Sequence, residues 1–260
     1  MKNITKIAIS GAYGRMGSSL VKTIQKYQEA LLTCAFVKEK KKIHLQNVKV
    51  IESKKIVEKI DTFDVLIDFS TPQNTLNNLN ICKKYNKNIV IGTTGFNEIE
   101  IKKIKKYSND IGIIISANFS VGINLLFKLI QDTAKILDQT YDVEILESHH
   151  RNKIDSPSGT ALQIGDIIAK NKQWDLEKCS IYRKKEITNI RKNNKIGFAI
   201  IRGGDTIGEH QVMFLGNGEK ITLSHHANNR NTFSKGAIDA AIWIKNKKSG
   251  LFNMNHVLNI

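Results

Sequence analysis

Short apolar runs rich in Ile and Val recur through the first 120 residues, separated by segments with helical spacing. Residues 4–10 alternate weakly and end in Gly11-Ala12-Tyr13-Gly14-Arg15-Met16-Gly17. Leu20, Val21, Ile24 and Tyr27 then fall on one helical face, and residues 31–37 form a continuous apolar run of strand length. Strand, glycine turn, helix and strand within about 35 residues predict a βαβ unit. Residues 38–49 are lysine-rich and read as a loop, and Ser53 reads as the cap of a short helix to residue 60. The pattern repeats with strands at 63–69, 89–91 and 111–115 and helices at 72–85 and 98–107, the first of these opening on Ser70-Thr71-Pro72. Continuous Ile/Val runs with helices between them predict a parallel sheet buried on both faces.

The pattern shifts after Asn118. A helix at 121–137 leads to a strand at 141–148, a loop at 149–158 and a helix at 160–170. Strand candidates follow at 180–183, 196–202, 209–215 and 220–225 with little helix between them, which predicts an α+β segment with hairpin-like connections. An amphipathic helix at 232–245 closes the pattern. The organisation expected is one domain from residues 1–118 plus 231–260 and a second from 119–230.

Composition narrows the class. With 41% hydrophobic and 25% charged residues the chain has the profile of a soluble globular protein. Its longest apolar runs fall short of the roughly 18 residues a membrane helix needs, and the N-terminus has no secretory h-region, so no membrane partner and a cytoplasmic location are expected. Cys34, Cys82 and Cys179 are far apart and fit reduced thiols. The net charge of +16 is spread along the chain rather than gathered with aromatics, so it reads as compositional drift and not as a nucleic-acid motif.

Three stretches carry chemistry. The Gly11/Gly14/Gly17 set lies after the first strand and at the start of the first helix. There a dinucleotide needs a tight turn, a close backbone approach to pyrophosphate and close helix–strand packing. Ala12, Tyr13, Arg15 and Met16 complete that loop, with Arg15 beside the expected phosphates. Gly92-Thr93-Thr94-Gly95-Phe96 and Ser116-Ala117-Asn118-Phe119 end two further strands at the same sheet edge and outline a nicotinamide pocket, their threonine hydroxyls suited to a carboxamide. The third stretch is Glu147-Ser148-His149-His150-Arg151-Asn152-Lys153, followed by Ser156-Pro157-Ser158-Gly159-Thr160. Clustered cations beside a capped helix start suit a substrate with more than one carboxylate, and a histidine suits proton transfer near neutral pH. Adjacent histidines lack the spacing of helical zinc sites, so no metal is expected. The role of Arg202-Gly203-Gly204-Asp205 is open at this stage.

These motifs resemble the 4-hydroxy-tetrahydrodipicolinate reductase (dihydrodipicolinate reductase) family. The resemblance rests on Gly-x-x-Gly-Arg-Met-Gly, Gly-Thr-Thr-Gly-Phe, Asn-Phe-Ser-Val-Gly at 118–122, His-His-x-x-Lys-x-Asp-x-Pro-Ser-Gly-Thr-Ala at 149–161, and Gly-Glu-His at 208–210, in order along essentially the whole chain. It implies an α/β protein with a Rossmann-like dinucleotide domain made from both chain ends and an inserted α+β domain that binds substrate and assembles a homotetramer. It implies NADPH or NADH as cofactor, a small cyclic dicarboxylate as substrate, His149 as acid/base and Lys153 as second proton donor. His150, Gly159 and Thr160 would hold the substrate; residues 11–16, Gly92, Thr93, Thr94 and residues 116–119 would hold the cofactor. Two features depart from the pattern: Tyr13 replaces a small residue, and Lys38 stands where an acid usually ends the second strand, with Glu39, Lys40, Lys41 and Lys42 beside it. Another Rossmann amino-acid dehydrogenase and a non-catalytic dinucleotide sensor are the competing classes. The His-His block argues against the first and the intact His149/Lys153 pair against the second.

Overall fold

The computed structural model describes residues 4–39, 48–182 and 190–260. It divides into two units, Met1–Val121 with Arg230–Ile260, and Gly122–Asn229. Within the first unit, β1 (Thr5–Ser10), α1 (Arg15–Ile24) and β2 (Ala30–Val37) form the βαβ unit read from the sequence. Then come β3 (Val50–Glu52), a 3₁₀ helix (Ser53–Thr62), β4 (Val65–Asp68), α2 (Pro72–Lys84), β5 (Asn88–Ile91), α3 (Glu98–Tyr107) and β6 (Gly112–Ile115). Thr71 caps α2 through Asn74 N–H with Pro72 in the first turn, and Asn97 and Glu100 close a capping box on α3. After the second unit the chain returns as α7 (Asn231–Ile244), β12 (Gly250–Phe252) and α8 (Met254–Leu258).

All seven strands of this sheet are parallel, in the order β12-β6-β5-β4-β1-β2-β3. Ile7, Ile9, Val65, Ile67, Val90 and Ile114 point into one core with α1 and α7; Ala8, Leu66, Ile89, Ile91 and Ile113 point into the other with α2, α3 and the 3₁₀ helix. Burial on both faces explains the unbroken apolar runs. The strand order reverses between β1 and β4, which makes the carboxyl ends of those two strands the topological switch point where open α/β sheets bind ligands.

The second unit holds α4 (Val121–Ile136, whose first residue belongs to the first unit), β7 (Asp142–His149), α5 (Gly159–Asn171), α6 (Leu176–Cys179), β8 (Ser180–Tyr182), β9 (Ile196–Arg202), β10 (Gly208–Leu215) and β11 (Lys220–Ala227). Its sheet runs β11-β10-β7-β9-β8. Val143, Ile145, Val212, Phe214 and Phe198 pack with Ile123, Ile130, Ile164 and Ile168 of the helices. β7 and β10 alternate buried and half-buried positions, so the sheet has one covered face and one more open face.

Three expectations change. β3, α6, β12 and α8 fall where the pattern predicts no element: at three to five residues each they are too short to show a period. Ser53 does not cap the 3₁₀ helix; its hydroxyl donates to the Val37 carbonyl instead. Among the described residues only β10–β11 is a hairpin, because β9 runs parallel to both β7 and β8. Lys40, Lys41 and Lys42, with the rest of the expected loop to residue 47 and the last position of the strand expected at 180–183, lie outside the described residues. No helix among the described residues is long and apolar enough to cross a membrane.

Candidate active site

The glycine turn behaves as its spacing requires. Gly11 has φ +80°, and a Cβ there would collide with the Phe69 carbonyl. A Cβ on Gly17 would collide with the backbone of Gly11 and Ala12, so helix and turn pack at glycine distance. Gly14 is the N-cap of α1 and supplies no side-chain cap, which leaves the first-turn N–H groups open to an anion. A cavity of about 740 Å³ lies beside this turn, lined by Gly11, Tyr13, Gly14, Lys38, Glu39, Ser53 and the Phe69–Thr71 turn among others. Tyr13 is half-buried and forms part of that wall. Arg15 is exposed at the start of α1, Ala12 is buried and Met16 is half-buried. Lys38 and Glu39 are exposed at the rim, so both departures from the usual pattern fall at the cavity.

The other nicotinamide-side candidates do not line this cavity. Thr93 is buried, and its hydroxyl accepts from Ser70 N–H at 3.1 Å and from Thr75 Oγ1 at 2.9 Å. The expectation that this hydroxyl is offered to a carboxamide is thereby corrected: it is committed inward. Thr94 is exposed. Gly92 lies against the Phe69 ring, where a Cβ would clash. Ser116 donates to the Asn118 carbonyl at 2.7 Å, while exposed Ala117 makes the turn. Phe119 is 2% exposed and packs on Phe69 with ring centroids 5.5 Å apart, so it is a wall of the core rather than an open surface.

In the second unit the structure gathers a set that the sequence reading saw only in part. Glu147 and His149 are two residues apart on β7 and therefore share its inner face. His149 Nδ1 sits 2.5 Å from Glu147 Oε2, off the line of a straight hydrogen bond. Glu147 Oε1 accepts from Arg202 Nη2 at 2.8 Å and from Ser158 N–H at 2.9 Å. Burial alone would raise this carboxyl, but His149, Arg202 and Ser158 outweigh it and hold the pKa at about 2. A carboxylate at Nδ1 favours the tautomer with the proton on Nδ1, leaving Nε2 to exchange protons. That Nε2 lies over Gly208, where a Cβ would stand 3.1 Å away.

His210 on β10 is 5% exposed, its ring edge-on to His149 at 5.1 Å. Its Nε2 is 3.2 Å from Ser158 Oγ, which itself accepts from Ala161 N–H as the cap of α5. Burial first, then the neighbouring charges of His149, His225 and Lys153, push its pKa down to about 3, so His210 is neutral. Gly159 and Thr160 open α5, where first-turn N–H groups have no partner within the helix. His150 is half-buried. Lys153 pairs with Asp155 at 2.9 Å. The Arg202–Asp205 turn acquires a role: Arg202 Nη2 also bonds the Asp155 carbonyl, Gly203 N–H bonds the His149 carbonyl, and the Gly204 carbonyl accepts from Arg151. It braces the loop that carries His150 and Lys153.

Glu147, His149 and His210 offer three ligand atoms within 4.8 Å of one another. A cation there would meet Arg202 already bonded to the same carboxylate, so the donor set is that of a proton-handling network. Sequence reasoning missed Glu147, Arg202 and His210 as functional residues, although the Glu-x-His spacing on a strand was a usable signal.

The first unit is thus of the nicotinamide-dinucleotide-binding class. Residues 5–119 match the model of the dihydrodipicolinate reductase N-terminus and residues 122–258 that of its C-terminus. The chain is 52% identical over 268 residues to 4-hydroxy-tetrahydrodipicolinate reductase of Buchnera aphidicola subsp. Schizaphis graminum, covering 99% of this chain and 98% of the relative. It is 48% identical to the same-named enzyme of the Baizongia pistaciae subspecies, over 100% and 99% of the two chains. A dipicolinate-bound dihydrodipicolinate reductase from Paenisporosarcina sp. TG-14 superposes with a TM-score of 0.78 at 26% identity, covering 96% of this chain and 97% of that one. The chain belongs to the dihydrodipicolinate reductase family, whose members are NAD(P)H-dependent oxidoreductases.

Proposed function

We propose that the chain reduces 4-hydroxy-tetrahydrodipicolinate to tetrahydrodipicolinate with NAD(P)H, in the diaminopimelate route to lysine. The observation that carries the reading is the buried Glu147–His149 pair beside the capped start of α5 and Lys153. When bound, the nicotinamide would supply a hydride; the 4-hydroxyl of the substrate leaves as water, so hydride and proton in and water out balance the step. Gly159 and Thr160 N–H groups, His150 and Lys153 hold the carboxylates of the substrate, and His149 donates the balancing proton from Nε2 while Glu147 stabilises the imidazolium. The residues of the glycine turn, with Lys38, Gly92, Thr93, Thr94 and Ser116–Phe119, form the cofactor side; Thr93 and Phe119 act there as supports, given their burial. The first unit is the dinucleotide domain and the second binds substrate and mediates assembly. The test is a coupled assay with the upstream synthase, pyruvate and aspartate semialdehyde. Loss of NAD(P)H absorbance that depends on this protein is expected, and its absence refutes the reading.

Cofactor choice follows from the cavity rim. An acid there accepts from the ribose hydroxyls of NADH and repels a 2′-phosphate; Lys38 reverses that sign. NADPH is expected to be used at least as well as NADH at low salt, with the preference shrinking as salt rises. An advantage for NADH of about tenfold or more in kcat/KM, some 1.4 kcal/mol, would assign the choice to Glu39.

A homotetramer is the proposed assembly. β11 is an edge strand of the second sheet, and Leu146, Met213 and Leu215 are only half-buried on that sheet's open face, with Ile201 49% exposed. An edge and an apolar face of this kind are covered by pairing with further copies. Sedimentation at micromolar protein is expected to give a tetramer, and monomer alone would rule it out. Three buried cysteines, none in a disulfide, suit a reducing, cytoplasmic compartment.

A further inference from the structure

Asp68, the last residue of β4, is fully buried and plays no part in the chemistry above. Its Oδ1 accepts from Ser70 N–H at 3.0 Å and Ser70 Oγ at 2.5 Å, and its Oδ2 accepts from Asn78 Nδ2 at 2.7 Å. Asn78 also donates to Ser10 Oγ at 3.0 Å, and Asn74 donates to Ser10 Oγ and Ser70 Oγ. Through Ser70 N–H the cluster reaches Thr93, and Gly92 N–H bonds the Asp68 carbonyl at 2.9 Å. Burial pushes the carboxyl up, and the donors of Ser70 and Asn78 oppose it.

A buried carboxylate is costly unless its donors are in place, so its position at a ligand-binding sheet edge calls for a function. The residue it brackets supplies one. Phe69 lies between Asp68 and Ser70, with its carbonyl against Gly11 and its ring against Gly92 and Phe119. One residue therefore touches all three loops assigned to the cofactor, and the turn 69–71 lines the cavity.

We propose that Asp68 is a positioning residue for the cofactor: by clamping Ser70 and Asn78 it fixes the Phe69–Thr71 turn as the wall against which the dinucleotide is held. This rests on the cavity being the NAD(P)H site. Asp68→Asn keeps the shape but can set its new amide N–H₂ against the Asn78 amide, donor facing donor. The pair Asp68→Asn/Asn78→Asp restores a donor facing an acceptor, with Ser10 Oγ–H free to donate to the new carboxylate.

The readouts are NADPH affinity by fluorescence titration and the split between KM for NADPH and kcat. Asp68→Asn is expected to weaken binding about tenfold, with the effect on KM and not on kcat, and the double variant to recover to within about threefold. A folded Asp68→Asn within threefold of wild type overturns the proposal, as does a folded double variant that fails to recover. Should Asp68→Asn not fold, Ser70→Ala removes the hydroxyl's bonds to Asp68 and Asn74 while keeping the Ser70 N–H bond to Asp68, and unchanged NADPH affinity there overturns it too. Gly14→Glu separates the underlying assumption: a carboxylate at the N-cap of α1 is expected to abolish binding, and undiminished affinity would place the cofactor elsewhere.

Discussion

Lys153→Ala and His149→Gln are each expected to lower kcat by about a hundred- to ten-thousand-fold, the range general acid–base groups supply. NADPH affinity should stay close to wild type, because neither residue lies in the unit that carries the glycine turn. For His149 the reason is geometric. Its Nδ1 is occupied by a carboxylate held ionised at about 2, so Nε2 is the nitrogen left to exchange protons. The glutamine of the His149→Gln variant retains polarity at that place but cannot take up and release a proton. Lys153→Ala removes a cation as well as a donor, so KM for the dicarboxylate should rise together with the fall in kcat. Stopped-flow and steady-state measurements on both variants check this. Turnover near wild type in both would end the assignment of the proton-handling residues.

Glu147→Gln is expected to lower stability by about 3 kcal/mol. It leaves the Arg202 guanidinium without its anion; the lower end of the usual range applies because Arg202 is 19% exposed. The sign with pH follows from linkage. The carboxyl is depressed to about 2 in the folded protein, below its ordinary 4.5. The unfolded chain therefore binds more protons between those values, and the stabilisation, fully present above about 4.5, is lost as pH falls toward 2. The gap in unfolding free energy between wild type and Glu147→Gln should narrow over that window. Chemical denaturation at stepped pH measures it, and a gap that stays constant from about pH 5 to about pH 2 contradicts the role given to Glu147. Activity of the variant should fall as well, since an amide can present its N–H to Nδ1 and favour the wrong tautomer of His149.

Periodicity and glycine spacing made the first unit legible along the chain. A strand buried on both faces must be apolar throughout, a helix at the sheet surface must repeat near 3.6, and the turn between them must lack side chains where backbone meets backbone, as at Gly11 and Gly17. The family was legible for the same reason: the His149–Ala161 block is contiguous. What only the tertiary structure decided was pairing across distance. Arg202 reaches Glu147 across 55 positions, and Asn78 reaches Ser10 across 68. β9 settles parallel to β7, which puts Arg202 in register with His149, though nothing local in either strand encodes that direction. A side chain's partners follow from which strands lie side by side, and that choice is made by burial of the whole sheet rather than by any one segment. Thr93 illustrates the limit: its sequence offers a hydroxyl to a ligand, and only the fold shows that hydroxyl already bonded to Ser70 and Thr75.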